Sequence, residues 1–330
     1  MSDIKCYWQQ RLEQVQHHLQ ILWKAQPSTI EYNVFPELES LPSNQTKLGE
    51  NSTIFSTVPH YGRIYLDACD GVPLTIRVVE PSVSMASSIS SPLPTVVYFH
   101  DMHTGPRSWL YLTRYCALGA RVVMLDQRFC PYDLVSDEGA TQAQRIEDSL
   151  LTVLVALGIA QQDAADTQAA ADLATFAPQP LACIGEGTGA GLALAAASIL
   201  GPRVTKLAIL NPYPCDIPQA YRTHATPQIY QSLHSYLRHH EPQGAHTDDL
   251  LAQLNFLDCL SFAPDVTAAT LMGVGELGQT EQLSSFDALY QKLGTSHKKL
   301  VSYPRWGYER INDFEDAILQ FIHFERKEHE

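Results

Sequence analysis

Residues 181–194, Leu-Ala-Cys-Ile-Gly-Glu-Gly-Thr-Gly-Ala-Gly-Leu-Ala-Leu, constrain the fold of this chain more than any other stretch. A short apolar run, glycines at 185, 187, 189 and 191, and an Ala/Leu run follow one another without a break. That order predicts a β-strand that turns tightly into a helix lying on the sheet, with glycines where backbones cross closely. The spacing differs from the G-x-G-x-x-G of dinucleotide sites, and no acidic residue ends a second strand about 20 residues later. No nucleotide cofactor is expected.

The surrounding chain repeats the same alternation. Residues 95–100 and 121–125 are continuous apolar, β-branched runs, the pattern of strands buried on both faces. Residues 206–210, 270–274 and 299–302 read as further strands. Helical patterns fall at 109–117, 143–157, 191–200 and 312–326, and the Ala/Gln/Asp-rich stretch over 161–174 either extends the second or starts another helix. Strands alternating with helices predict an α/β fold built on a mostly parallel, doubly wound sheet. Ahead of it, residues 5–25 carry an apolar stripe (Leu12, Val15, Leu19, Leu22), a helical extension. A loop-rich tract covers 28–60, two strands at 63–67 and 73–79 flank the turn Asp70-Gly71, and 81–94 is Ser/Pro-rich. The expected division is an extension over 1–60 and a main domain over 61–330. An aromatic-rich helical insertion at about 211–265 would cover the carboxyl edge of the sheet, where ligands bind in such folds.

Composition excludes several roles. With 36 acidic against 22 basic residues the net charge is -14, which disfavours nucleic acid and anionic membrane as partners. No secretory leader pattern opens the sequence, and no apolar run approaches the roughly 18–20 residues of a membrane span. The seven cysteines are scattered without a C-x-x-C pair, so a cytoplasmic location is expected. The 13 histidines show no metal-ligand spacing, and no metal or other cofactor is expected.

A strand–turn–helix of this kind is the setting of G-x-S-x-G, in which a strained turn exposes a serine hydroxyl. Gly185 and Gly189 hold the outer positions, and the residue between them is Gly187. Glycine offers no nucleophile. Thr188 is one residue out of register, flanked two positions away by Glu186 and Ala190.

Five segments in order resemble the acetyl xylan esterase / cephalosporin C deacetylase family of α/β-hydrolases. Val97-Tyr-Phe-His-Asp-Met102 is similar to its F-H-G-Y strand end, and Met124-Leu-Asp-Gln-Arg128 to its M-D-x-R. Residues 184–194 are similar to its G-G-S-Q-G-G-G-x-A-L turn, Leu254-Asn-Phe-Leu-Asp258 to its L-S-Y-F-D, and Tyr303-Pro-Arg-Trp-Gly-Tyr-Glu309 to its Y-P-Y-N-N-H-E. The resemblance implies an α/β-hydrolase fold with an N-terminal helical extension and a helical lid insertion. It also implies acyl transfer by serine, acid and histidine, and a tendency to form symmetric oligomers.

The departures fall on the chemistry. The resemblance puts the nucleophile at Gly187, the acid at Gly278 and the histidine at Tyr308, and a phenol is a poor base at neutral pH. Its oxyanion positions fall on Met102 and Thr188. His100 is expected to be structural. His103, Glu186 and Glu276 are candidates to face the pocket, and Thr188 with His103 is the conceivable substitute couple, provided reacting atoms meet within about 3–3.5 Å. The expected role is therefore a pseudoenzyme that binds a small acylated or carbohydrate ligand or a protein. The alternatives are an acetyl esterase using displaced groups, and a structural subunit of a mixed oligomer with an active paralogue.

Overall fold

The computed structural model describes residues 2–25, 31–32, 59–81, 93–128, 134, 141–164, 180–225 and 227–322. Among these, nine strands form one sheet: β1 (Glu31–Tyr32), β2 (His60–Asp67), β3 (Pro73–Glu80), β4 (Thr95–Phe99), β5 (Arg121–Asp126), β6 (Leu181–Glu186), β7 (Lys206–Leu210), β8 (Ala269–Leu277) and β9 (Lys298–Trp306). Their spatial order is β1-β2-β3-β5-β4-β6-β7-β8-β9. The first strands pair antiparallel, and every pair from β5 through β4 to β9 is parallel. The described helices are α1 (Ser2–Ala25), α2 (Trp109–Cys116), α3 (Thr141–Ala164), α4 (Thr188–Leu200), α5 (Ile217–Arg222), α6 (Gln228–His240), α7 (Thr247–Gln253), α8 (Cys259–Phe262), α9 (Thr280–Lys292) and α10 (Asn312–Phe321).

The continuous apolar strands are buried on both faces because each pleat sends alternate side chains to opposite cores. Val97, Phe99, Val123, Leu125, Cys183 and Ile209 face a core with α1, α3 and α4. Val96, Tyr98, Val122, Met124, Ile184 and Leu210 face a second core with α2 and α10. The extension helix joins the first core through Trp8, Leu12, Val15 and Leu19. Trp8 donates its indole N–H to Phe256 O at 2.7 Å, so α1 also holds the insertion.

The expected hairpin forms, with Asp67 opposite Pro73 around Asp70-Gly71. β9 runs past the expected end at 302 to Trp306. Pro304 broke the sequence pattern, yet β9 is an edge strand, where a missing N–H costs no ladder bond on the open side. β1 lies in the tract read as loop, and two residues are too few for a periodic signal. The segments 82–92, 165–179 and 323–330, and with them parts of the expected Ser/Pro-rich stretch and of the helices over 161–174 and 312–326, lie outside the described residues.

The insertion, α5 to α8, lies between β7 and β8. Asp258 clips it in place. Its buried carboxylate accepts the N–H groups of Asp216 (3.0 Å), Ile217 (2.6 Å) and Leu260 (2.8 Å), which belong to the first turns of α5 and α8 or cap them. One anion thus satisfies orphan donors of two helix N-termini. None of the described helices is long and apolar enough to cross a membrane.

Candidate active site

Strand β6 runs directly into α4 through Gly187, whose φ of 56° and ψ of -122° lie outside the regions open to L side chains at low cost. The turn is held by backbone bonds: Gly187 N–H reaches Leu210 O at 2.8 Å, and Gly187 O accepts from Tyr213 N–H at 3.1 Å. The flanking glycines are demanded by space, because a Cβ on Gly185 or Gly189 would lie 2.3 Å from a backbone oxygen. The strained turn expected from the sequence is therefore built.

Above Gly187 sits the carboxylate of Asp101, in the loop after β4. A Cβ added at 187 would lie 2.5 Å from Asp101 Cγ, 2.6 Å from Oδ2 and 2.8 Å from Oδ1. The volume into which a side chain at this turn would project is taken by an acid from another loop. Asp101 Oδ1 accepts the Thr188 hydroxyl at 3.0 Å and, in longer contacts of 3.4 Å, the N–H groups of Thr188 and His103. The Thr188 hydroxyl oxygen accepts Met102 N–H at 3.1 Å. The sequence puts Met102 in place of the tyrosine that the resemblance implies at one oxyanion position and leaves a backbone N–H at Thr188 for the other; the N–H groups of both residues are engaged within the chain. Asp101 was not singled out in the sequence, although a signal was there: it stands at the glycine of F-H-G-Y.

The other expected positions end neighbouring strands at the same edge. Gly278 follows β8 at φ 71°, and a Cβ there would meet the Trp306 ring at 2.4 Å. Trp306 and Tyr308 stack with ring centroids 5.8 Å apart, and Tyr308 is 77% exposed. Between these loops lie neutral amides. Asn211 Oδ1 accepts Gly275 N–H and Gln279 Nε2, both at 2.9 Å, and Asn211 Nδ2 donates to Gly307 O at 2.9 Å. Tyr213 OH donates to Gln279 Oε1. The ends of β7, β8 and β9 are tied by groups that carry no charge.

His100 is buried, with Nδ1 2.9 Å from Asp101 O and Gln127 N–H 3.4 Å from Nε2. Burial pushes its pKa below the ordinary value, so the ring is a neutral strut for the Asp101 loop. His103 is exposed, and its backbone N–H is what reaches Asp101. Glu276 is exposed at the end of β8.

Glu186 corrects an expectation. Rather than facing a pocket, it is buried and accepts from Tyr98 OH at 2.6 Å and from Arg107. Its partner is 79 residues away in sequence and invisible to local pattern. The pair belongs to a larger network in which Tyr111 OH bridges Glu186 and Glu315, and Arg114 and Arg310 both hold Glu315 at 2.7–2.8 Å. Burial, with Glu186 close by, raises the Tyr98 and Tyr111 phenols well above their ordinary value, so both remain donors. Burial alone would raise the Glu315 carboxyl, but hydrogen bonds from Arg310 and Arg114 win and hold it below the ordinary range. A depressed carboxyl contributes stability that is present above the unfolded pKa, about 4.3, and is lost as pH falls through the folded value. Glu315→Gln is expected to lower stability near pH 7 and to flatten the loss of stability below about pH 4.3, read as denaturation midpoints across pH.

No group of three or more His, Cys, Asp or Glu side chains suited to a metal ion occurs among the described residues. The six described cysteines are free thiols.

Comparison with known proteins gives a consistent result. The model of the acetyl xylan esterase (AXE1) family matches residues 35–324. Among solved structures, the chain is similar to the acetyl xylan esterase from Paenibacillus sp. R4, with a TM-score of 0.70, 19% identity, and 98% of this chain and 94% of that one covered. It is also similar to acetyl xylan esterase 1 from Thermoanaerobacterium sp. JW/SL YS485, with a TM-score of 0.66, 18% identity, and 97% and 93% covered. A more distant likeness is to the Pyrococcus horikoshii acylaminoacyl peptidase, with a TM-score of 0.56, 13% identity, and 83% of this chain but 42% of that one covered. No curated protein matches by sequence. The fold is that of the α/β-hydrolases.

Proposed function

This chain belongs to the acetyl xylan esterase family, and we propose that within it the chain is a pseudoenzyme, acting by binding a ligand or a protein partner. The observation that carries this reading is the Asp101 carboxylate over Gly187. Acyl transfer needs an oxygen or sulfur nucleophile, a base to take its proton, and free donors for the oxyanion. Position 187 supplies no nucleophile, and the Asp101 carboxylate would repel the negative charge that develops on a substrate carbonyl. The nearest hydroxyl, on Thr188, donates to Asp101. A carboxylate is a weaker base than an imidazole and is poorly suited to activating it. In a serine hydrolase, loss of one essential triad member costs about 10⁶ in turnover, and the remaining acceleration rests on the oxyanion hole and binding. Here the hole's donors are already engaged.

The expected result is that purified protein hydrolyses p-nitrophenyl acetate at a rate linear in substrate and unchanged by Thr188→Val. A specific observation favours a second reading, carboxylic-ester hydrolysis by displaced groups: the family match spans nearly the whole chain. Saturable hydrolysis abolished by Thr188→Val or His103→Ala would establish that reading and remove the first. A cytoplasmic location, and self-association or pairing with an active paralogue, belong to the proposal as well. Native mass of the purified chain and pull-down from the host test the assembly.

A further inference from the structure

The sequence places Arg238, His239 and His240 side by side, yet the structure separates them. His239 Nδ1 lies 2.7 Å from Ser235 O, and His240 stacks on Tyr236. Arg238 instead lines a cavity of about 490 Å³ with His224, Ala225, Gln231, His234 and Ser235, between α6 and the turn that ends α5. Its size is within the range of small-molecule sites. His234 is the middle ring of a ladder, stacked 4.6 Å from Tyr221 and 4.9 Å from His224. His234 Nε2 is closed to solvent and has no hydrogen-bond partner among the described residues. A buried nitrogen left this way is uncommon and calls for an explanation. None of the six lining residues is acidic, in a chain with 36 acidic against 22 basic residues.

We propose that this cavity binds the phosphate group of a small molecule, with the Arg238 guanidinium and the His224 and His234 rings as its donors. The chemistry fits an oxyanion: one permanent cation, two imidazoles, a hydroxyl and an amide belong to the residues that line this cavity. The charged or titratable groups that face His234 are Tyr221 from α5, His224 from the turn and Arg238 from α6, and none is an acid. Burial, and then the neighbouring His224 and Arg238, hold the His234 pKa down.

Thermal unfolding with inorganic phosphate or phenyl phosphate, against chloride at equal ionic strength, tests this. The expected result is a rise in Tm with phosphate beyond that with chloride. It should be lost in Arg238→Gln and in His224→Asn, an exchange that keeps a residue tolerant of the positive φ of 52° at 224. It should persist in Lys299→Ala, which removes an exposed charge on β9. A response to inorganic phosphate but not to phenyl phosphate would identify the free ion as ligand, and the reverse a phosphate ester. No rise beyond chloride, or an equal loss in Lys299→Ala, would overturn the proposal. The result is independent of whether Gly187 lies in a working site.

Discussion

Gly187→Ser is expected to lower stability by about 2–4 kcal/mol and to yield no saturable ester hydrolysis. The hydroxyl would be restored, but its Cβ would have to enter the space of the Asp101 carboxylate, 2.5–2.8 Å from three of its atoms. A non-glycine residue at this φ and ψ costs about 1–3 kcal/mol, and the overlap adds to it. The two effects separate in a double-mutant cycle. Asp101→Gly removes the obstacle, so Asp101→Gly/Gly187→Ser is expected to be more stable than the sum of the single changes by about 1–3 kcal/mol. An additive cycle, measured by urea unfolding, would mean that the carboxylate does not oppose a side chain at 187. Even the double variant is expected to be inactive. Tyr308, at the position where the resemblance puts the histidine, is exposed to solvent, and in a serine hydrolase loss of that base alone costs about 10⁶ in turnover. Gain of activity should need Gly278→Asp and Tyr308→His as well, and Gly278→Asp must displace Trp306.

Asp258→Ala is expected to cost about 3–5 kcal/mol, the largest stability effect of any single change considered. The carboxylate is 2% exposed and accepts three backbone N–H groups. Its removal leaves three donors without an acceptor, and each buried unsatisfied group costs about 1–3 kcal/mol. Asp258→Asn keeps the shape but turns an NH₂ toward N–H donors, so it should recover only part of the loss. A lower urea midpoint together with faster hydrogen exchange confined to α5–α8 would show that the acid holds the insertion. A change below about 1 kcal/mol would show that packing alone does.

Much of the fold was legible because its signals are local. Apolar β-branched runs, the glycine spacing at 185–191 and the alternation of strand and helix gave the sheet, its parallel character and the elbow. The positions expected at the acid and histidine slots fall at the carboxyl ends of β8 and β9, where the structure has Gly278 and Tyr308. What stayed hidden acts through space. Asp101 is unremarkable in its own loop, and its meaning comes only from lying over a turn 86 positions away. Glu186 read as a pocket acid because its partner Arg107 is distant in sequence. The Trp306 ring that takes the space beside Gly278 belongs to an edge strand whose length was masked by Pro304.

On the proposed reading no residue at this elbow attacks an acyl centre, because Gly187 lies beneath the Asp101 carboxylate. Incubation of the wild-type protein with a fluorophosphonate, followed by intact-mass spectrometry, tests it most directly. The predicted spectrum contains unmodified protein alone. A one-to-one adduct, mapped by peptide sequencing to Thr188 or to any other residue of this edge, would contradict it.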